Sequence, residues 1–172
     1  MSHDDAPRDG LLGLTYRQLV ALIALVNAFV ATYLHLWKIG KAGTLACGGN
    51  GGCALVQFSQ WSWVRLPWQG ATTPGVDVAL IGAIGYTVVL LAALWGTRES
   101  RADARGPVIA LAGLVYPAIL FTVRLKYAEW FVLRTFCPWC FISTISITLL
   151  GVIVALEWRR VRTLARARAA TG

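Results

Sequence analysis

The sequence predicts an all-α integral membrane protein, a bundle of four transmembrane helices with one long outer loop that holds a short interfacial helix. Three observations lead there. Windows 18–37, 78–97, 106–123 and 135–156 contain no Asp, Glu, Lys or Arg, and each is near the ~20 residues a helix needs to cross a hydrocarbon core about 30 Å thick. Over the whole chain 57% of residues are hydrophobic and 14% charged, which is not the composition of a soluble domain. The basic residues gather at the ends of the apolar windows, so the net charge of +8 reads as membrane topology and not as a nucleic-acid surface.

Four spans put both chain ends on one side. That side carries ten basic residues (Arg8, Arg17, Arg98, Arg101, Arg105, Arg159, Arg160, Arg162, Arg166, Arg168), and the other carries six (Lys38, Lys41, Arg65, Arg124, Lys126, Arg134). The excess places the termini in the cytoplasm and all four cysteines, Cys47, Cys53, Cys137 and Cys140, on the outer side, where disulfides form and turn over. The expected division is a loose tail at 1–16, a membrane domain at 17–158 and a basic tail at 159–172.

Helix 1 is expected from about Tyr16 to Trp37, with Asn27 at mid-depth bonding a neighbouring helix and His35 at the interface beside Tyr33 and Trp37. The outer loop, 39–76, begins with Cys47-Gly48-Gly49-Asn50-Gly51-Gly52-Cys53. Four glycines between two cysteines make a pliable segment that suits either a mobile disulfide shuttle or a plain loop staple. From Ala54 to Trp68 the density of tryptophan favours a short interfacial helix, either a lid over the bundle mouth or an aromatic belt.

Helix 2 follows Pro74-Gly75 and ends near Trp95, with Gly82 and Gly85 spaced for close helix contact and Tyr86 facing inward or to the interface. Helix 3 opens at Pro107 and should kink at Tyr116-Pro117. Arg124 and Lys126 at its outer end read as snorkelling cations, with a second reading in which they favour a thiolate or a developing quinol anion. Helix 4 opens on Cys137-Pro138-Trp139-Cys140. Proline suits a first helical turn, two cysteines three apart share one face, and the positive end of the helix dipole favours a thiolate there. Ser143, Thr144, Ser146 and Thr148 should bond their own backbone, Thr144 being placed to touch a ligand instead.

The sequence has no glycine-rich phosphate loop, no carboxylate pair and no histidine cluster. That composition argues against hydrolysis and phosphoryl transfer and leaves the thiols as the reactive groups. A zinc site of four cysteines, a scaffold with two static disulfides, and a redox relay to a lipid-phase quinone are the competing readings.

The cysteine constellation resembles the vitamin K epoxide reductase family. The residues that carry the likeness are Cys47 and Cys53 at C-x5-C, Ser59 six residues later, and C-P-x-C at Cys137 and Cys140, joined by Gly75, Gly82 and Tyr86, over Leu14 to Trp158. The DsbB family also has four helices, two cysteine pairs and a quinone, but its C-x-x-C lies in the first outer loop. The resemblance implies that Cys137 and Cys140 are the active-site disulfide, with Cys140 at the quinone and Cys137 exchanging with Cys53. Cys47 and Cys53 are then the shuttle pair. Ser59, Thr144, Phe58 and Trp139 are the expected quinone contacts, ubiquinone or menaquinone serves as cofactor, and no metal is implied.

Bacterial relatives reoxidise a periplasmic thioredoxin-fold (DsbA-like) protein from the inner membrane. Many carry a fused thioredoxin-like domain, and with this chain stopping at Gly172 the resemblance implies a separate partner. The alternative task within the family is reduction of vitamin K quinone or epoxide. Asp77 stands where relatives often have proline, and the loop from Ser59 to Gly75 is longer than the family pattern. These departures bear on the lid and on the first turn of helix 2.

Overall fold

The computed structural model describes residues 10–11, 14–45, 47, 51–65, 67–68, 75–98 and 104–171. The expectations for residues 1–9, for Gly48, Gly49 and Asn50, for Leu66 and Pro74, and for Arg101 fall outside that range. Four long helices carry the fold, each long and apolar enough to cross a membrane. The first, α1 (Tyr16–Lys38), opens on a capping box in which Thr15 accepts the Gln18 amide and Gln18 returns the bond to the Thr15 amide. Just ahead of it, β1 (Gly10–Leu11) pairs antiparallel with β2 (Leu14–Thr15). The described end of the expected loose tail is therefore ordered.

A short helix, α2 (Gly52–Phe58), leads through a 3-10 turn (Gln60–Ser62) into β3 (Trp63–Val64), which pairs antiparallel with β4 (Val76–Asp77). A short helix is thus present in this loop, but it starts one residue before the second loop cysteine and ends at Phe58, and the tryptophan-rich part is turn and strand. Asp77 caps α3 (Val78–Gly96) by accepting the Ala79 amide at 3.1 Å. Next, α4 (Arg105–Tyr127) continues through Pro117 and ends in a π-helical turn, Ala128–Val132. The last helix, α5 (Pro138–Thr171), has 34 residues, so at 1.5 Å per residue it is about 50 Å long and outreaches a ~30 Å hydrocarbon core. The basic tail from Arg159 is a continuation of this helix.

The four long helices close into a ring in which α1 contacts α3 and α5, and α4 contacts the same two. Small residues let them approach: Ala24, Ala31 and Ala93 are buried, and a side chain at Gly82 would meet Ala31 at 3.7 Å. Val20, Val108, Leu111, Val115 and Leu150 fill the centre with no exposure, while Leu22, Phe29, Leu91, Leu120 and Leu149 face outward, as a lipid-facing surface requires. Two expectations about packing are corrected here. Asn27 is buried, but its amide donates to Ile23 of its own helix at 2.9 Å and not across to a neighbour. Gly85 meets nothing within 4 Å and lines a cavity, so its missing side chain makes room rather than contact.

At the end away from the cysteines, Arg17 bonds Glu157 of α5, the carbonyl of Gly96 and, at 3.4 Å, the carbonyl of Ala104. One buried guanidinium therefore binds α1 to α5 and to both ends of the α3–α4 connector, using the rigid fork that makes arginine suited to several acceptors at once.

Candidate functional site

The four cysteines lie at the other end, around the mouth of the ring. Cys137 immediately precedes α5, with Pro138 at the first helical position, and its carbonyl accepts the first helical amide, that of Phe141, at 3.0 Å. Its sulfur takes the Cys140 amide at 3.4 Å, as a capping side chain does. Cys137 is fully buried and Cys140 half-buried, and both are thiols. The Cys140 thiol hydrogen-bonded to Cys137 holds the Cys137 pKa down at about 7 against the opposing effect of burial, helped by the Cys140 amide. The charges of Glu129 and Lys126 push it in opposite directions.

Glu129 is a residue that sequence reading missed. It sits in the π-helical turn, 2% exposed, and one carboxylate oxygen accepts the Cys137 amide at 2.8 Å while the other takes the Lys126 ammonium at 2.7 Å. A carboxylate three residues after a lysine and eight before the first cysteine of the motif was the available signal. Lys126 therefore turns inward and is buried, which corrects the snorkelling expectation. Arg124 lies 5.0 Å over the Trp61 ring and so braces the loop instead of reaching outward.

Cys47 and Cys53 form a disulfide with Cα atoms 5.8 Å apart. That bond takes two thiols out of any four-cysteine zinc site. Gly51, with φ of +62°, starts α2 in a conformation that a side chain would strain. A side chain on Gly52 would fall 2.5 Å from the Phe136 carbonyl and 2.8 Å from the Thr135 hydroxyl. The backbone beside fully buried Cys53 thus lies against the backbone leading into Cys137.

The loop is fastened over the mouth by a second buried cluster. The Lys38 ammonium donates to Asp77 at 2.7 Å and to the Ser62 hydroxyl and carbonyl at 2.9 and 3.4 Å, and it lies 3.9 Å from the Trp63 ring. Asp77 also meets His35 Nδ1 at 2.7 Å, so His35 belongs to an ion-pair cluster and is more than an interfacial ring. The single Ser62 hydroxyl proton lies between the Gln57 and Ser59 carbonyls, 2.5 and 2.9 Å from the Ser62 oxygen. Gln57, another residue not singled out from sequence, donates its amide to Cys140 Sγ at 3.9 Å. The departure at Asp77 is therefore the anchor of the lid.

Beneath this lid is a cavity of about 340 Å³, lined by Cys140, Trp139, Ser59 and Thr144 among others, within the size range of small-molecule sites. Four of the sequence-predicted contacts thus meet in one wall. Ser59 and Thr144 donate their hydroxyl protons to the carbonyls of Val56 and Cys140, at 2.8 and 2.7 Å. Phe58 is the exception: it is 56% exposed, pairs with Trp37 at 5.6 Å and lies off the cavity. Tyr86 faces inward and shares a 3.0 Å bond with Ser143. Among the described residues no group of three or more His, Cys, Asp and Glu side chains is arranged to hold a metal ion.

The cavity is mostly apolar and has the Cys140 thiol in its wall, so it suits an apolar small molecule held beside that sulfur. The sequence profile described as Vitamin K epoxide reductase family matches residues 18–155 of the 172-residue chain, which takes in every cysteine, the lid and the cavity wall.

Proposed function

The chain belongs to the vitamin K epoxide reductase family, a family of membrane thiol and quinone oxidoreductases, and on that premise we propose that it oxidises an external thioredoxin-fold (DsbA-like) protein and passes the electrons to quinone. The observation that carries the reading is the division of labour between the two thiols of the motif. Cys140 opens into the cavity, and Cys137 is buried beside the backbone contact with the loop disulfide.

A partner dithiol reduces the Cys47–Cys53 disulfide and becomes a disulfide itself. Cys53, as thiolate, attacks Cys137 of a Cys137–Cys140 disulfide, Cys140 leaves as thiolate, and Cys47 resolves the mixed disulfide, so two electrons now reside on the α5 pair. Oxidation of Cys137 and Cys140 back to a disulfide then delivers two electrons and two protons to quinone, giving hydroquinone. The lowered pKa of Cys137 makes it a good leaving group when the mixed disulfide is resolved.

The excess of basic residues at the far end supports cytoplasmic termini and an outward-facing cysteine end; the bacterial inner membrane is the location that the DsbA-like role implies. Ubiquinone and menaquinone both fit the chemistry. The test is anaerobic mixing of the purified chain with a reduced thioredoxin-fold protein and a soluble quinone. Quinol should form catalytically and stop in Cys140→Ala; an unchanged rate in that variant removes the assignment.

A further inference from the structure

Most polar groups in the cavity wall have already spent their protons. The hydroxyls of Ser59, Ser62, Thr122 and Thr144 each donate to a backbone carbonyl of their own segment, at distances from 2.5 to 2.9 Å. Gln57 directs an amide proton at Cys140. Tyr86 and Ser143 share one hydrogen bond between their hydroxyls at 3.0 Å, and the Tyr86 hydroxyl also lies 3.5 Å from the Ser143 carbonyl. None of the four donating hydroxyls is set up to receive a carbonyl oxygen without giving up an existing bond.

Two donors differ. The indole N–H of Trp61, in the cavity wall, is buried and has no hydrogen-bond partner among the described residues. The Lys126 ammonium, also in the wall, has three protons and one oxygen partner among the described residues, Glu129; its other neighbours are the rings of Trp130 and Phe141, centred 6.0 and 5.7 Å away. Burying such donors unpaired is costly, so each calls for an acceptor, which an ordered water or a bound ligand supplies. The two are also mechanically joined, since Arg124, two residues before Lys126 on α4, lies over the Trp61 ring.

We propose that the Trp61 indole N–H and the Lys126 ammonium are the donors that receive the quinone oxygens beside Cys140, and that Glu129 is a positioning residue holding that ammonium and the Cys137 amide in one frame. The inference rests on the quinone reading above. A quinone is neutral when it binds and its oxygens gain negative charge as electrons arrive from the thiols, so a fixed cation in a dry wall stabilises the reacting state more than the bound one. Lys126 is the donor that acts on turnover. Trp61, a neutral donor, contributes mainly to binding and orientation. Glu129 contributes by geometry, because its two oxygens link the cation to the first residue of the redox motif.

The experiment uses the full chain in detergent, dithiothreitol as the electron source and a short-chain soluble quinone, with quinol formation followed anaerobically. Lys126→Met should lower kcat/KM for quinone by about 100-fold, mostly in kcat. Trp61→Phe, which keeps a ring and deletes the N–H, should raise KM by about tenfold. Both should reduce the Cys47–Cys53 disulfide with dithiothreitol at the wild-type rate, which a folding defect would not allow. Glu129→Gln should shift the thiolate absorbance titration of Cys137 to lower pH by removing the charge that opposes ionisation, an effect a purely structural role would not produce. If wild type forms quinol and both Lys126→Met and Trp61→Phe match it within twofold, the donor assignment is overturned and the quinone reading survives. A loss confined to Tyr86→Phe or Ser143→Ala overturns it equally. If wild type forms no quinol, both fall together. Should Lys126→Met fail to assemble, Trp61→Phe and Lys126→Arg decide: wild-type KM in the former, or a loss of kcat in the latter as deep as about 100-fold, overturns the proposal.

Discussion

Lys38 with Asp77 and Lys126 with Glu129 are both buried ion pairs at 2.7 Å around the mouth of the bundle, yet they dispose of their remaining hydrogen-bonding capacity differently. Lys38 gives protons to Asp77, the Ser62 hydroxyl and the Ser62 carbonyl, and Asp77 in turn accepts from Lys38, His35 and the Ala79 amide. Every partner belongs to the lid, to α1 or to the start of α3. Lys126 has one oxygen partner among the described residues and otherwise faces rings and the cavity. The first pair holds structure together and the second is held ready for something else. Charge, burial and distance do not distinguish them; the count of satisfied protons does.

The largest expected effect falls on the saturated pair. Lys38→Met leaves Asp77 buried without its cation and should destabilise the chain by about 3–5 kcal/mol, read as a lower thermal midpoint in detergent and faster labelling of Cys140 as the lid lifts. An unchanged midpoint would break the comparison at its structural end. Next comes the thiol itself. Because the charges of Lys126 and Glu129 oppose each other at Cys137, its titration is governed by the Cys140 thiol. Its thiolate absorbance should therefore appear around pH 7, forming above that pH and lost below it, and Cys140→Ala should move the midpoint up toward the ordinary cysteine value of about 8.5. A midpoint unmoved by that substitution would mean the ion pair does not cancel.

Gly52→Ala should follow, at about 1–3 kcal/mol. A methyl there must displace the Phe136 carbonyl or the Thr135 hydroxyl, parting the loop disulfide's helix from the segment before Cys137. Quinol formation driven by a thiol protein should fall further than quinol formation from a chain whose Cys137 and Cys140 have been reduced beforehand. Equal losses would show that α2 supports the cavity and not the exchange.

Much of this was legible in the sequence. Windows without charge locate the long helices because a backbone crossing lipid must satisfy its own hydrogen bonds and an uncharged run of about 20 residues does so as a helix, and Pro138 between two cysteines fixes where α5 begins. The ion pairs were not legible. A lysine at the end of an apolar window looks the same whether it points to headgroups or into the bundle, and the partners of Lys38 lie 24 and 39 residues away, on elements whose approach depends on the ring closing. Lys126 and Glu129 are close enough in sequence to be paired by eye, but their link to the Cys137 amide depends on the π-helical turn, which no residue pattern announced. Trp61 was visible only as one tryptophan among several. What sets it apart is that its N–H has no hydrogen-bond partner among the described residues.

The smallest effects test the distinction between spent and unspent protons most finely. Replacing the second pair whole, as Lys126→Met with Glu129→Gln, removes both charges together and should change stability by about 1 kcal/mol or less, while quinol formation still falls. Thr144→Val should do less again. Thr144 lines the cavity one turn from Cys140, where a hydroxyl invites assignment as a ligand donor, but its proton already goes to the Cys140 carbonyl at 2.7 Å. Valine keeps the shape, and a helical carbonyl losing a side-chain bond retains its backbone partner. The quinone KM should therefore move by less than about threefold, roughly half a kcal/mol. A tenfold rise would mean that this hydroxyl turns from the backbone to the ligand, and that satisfied protons at rest do not foretell which groups serve the substrate.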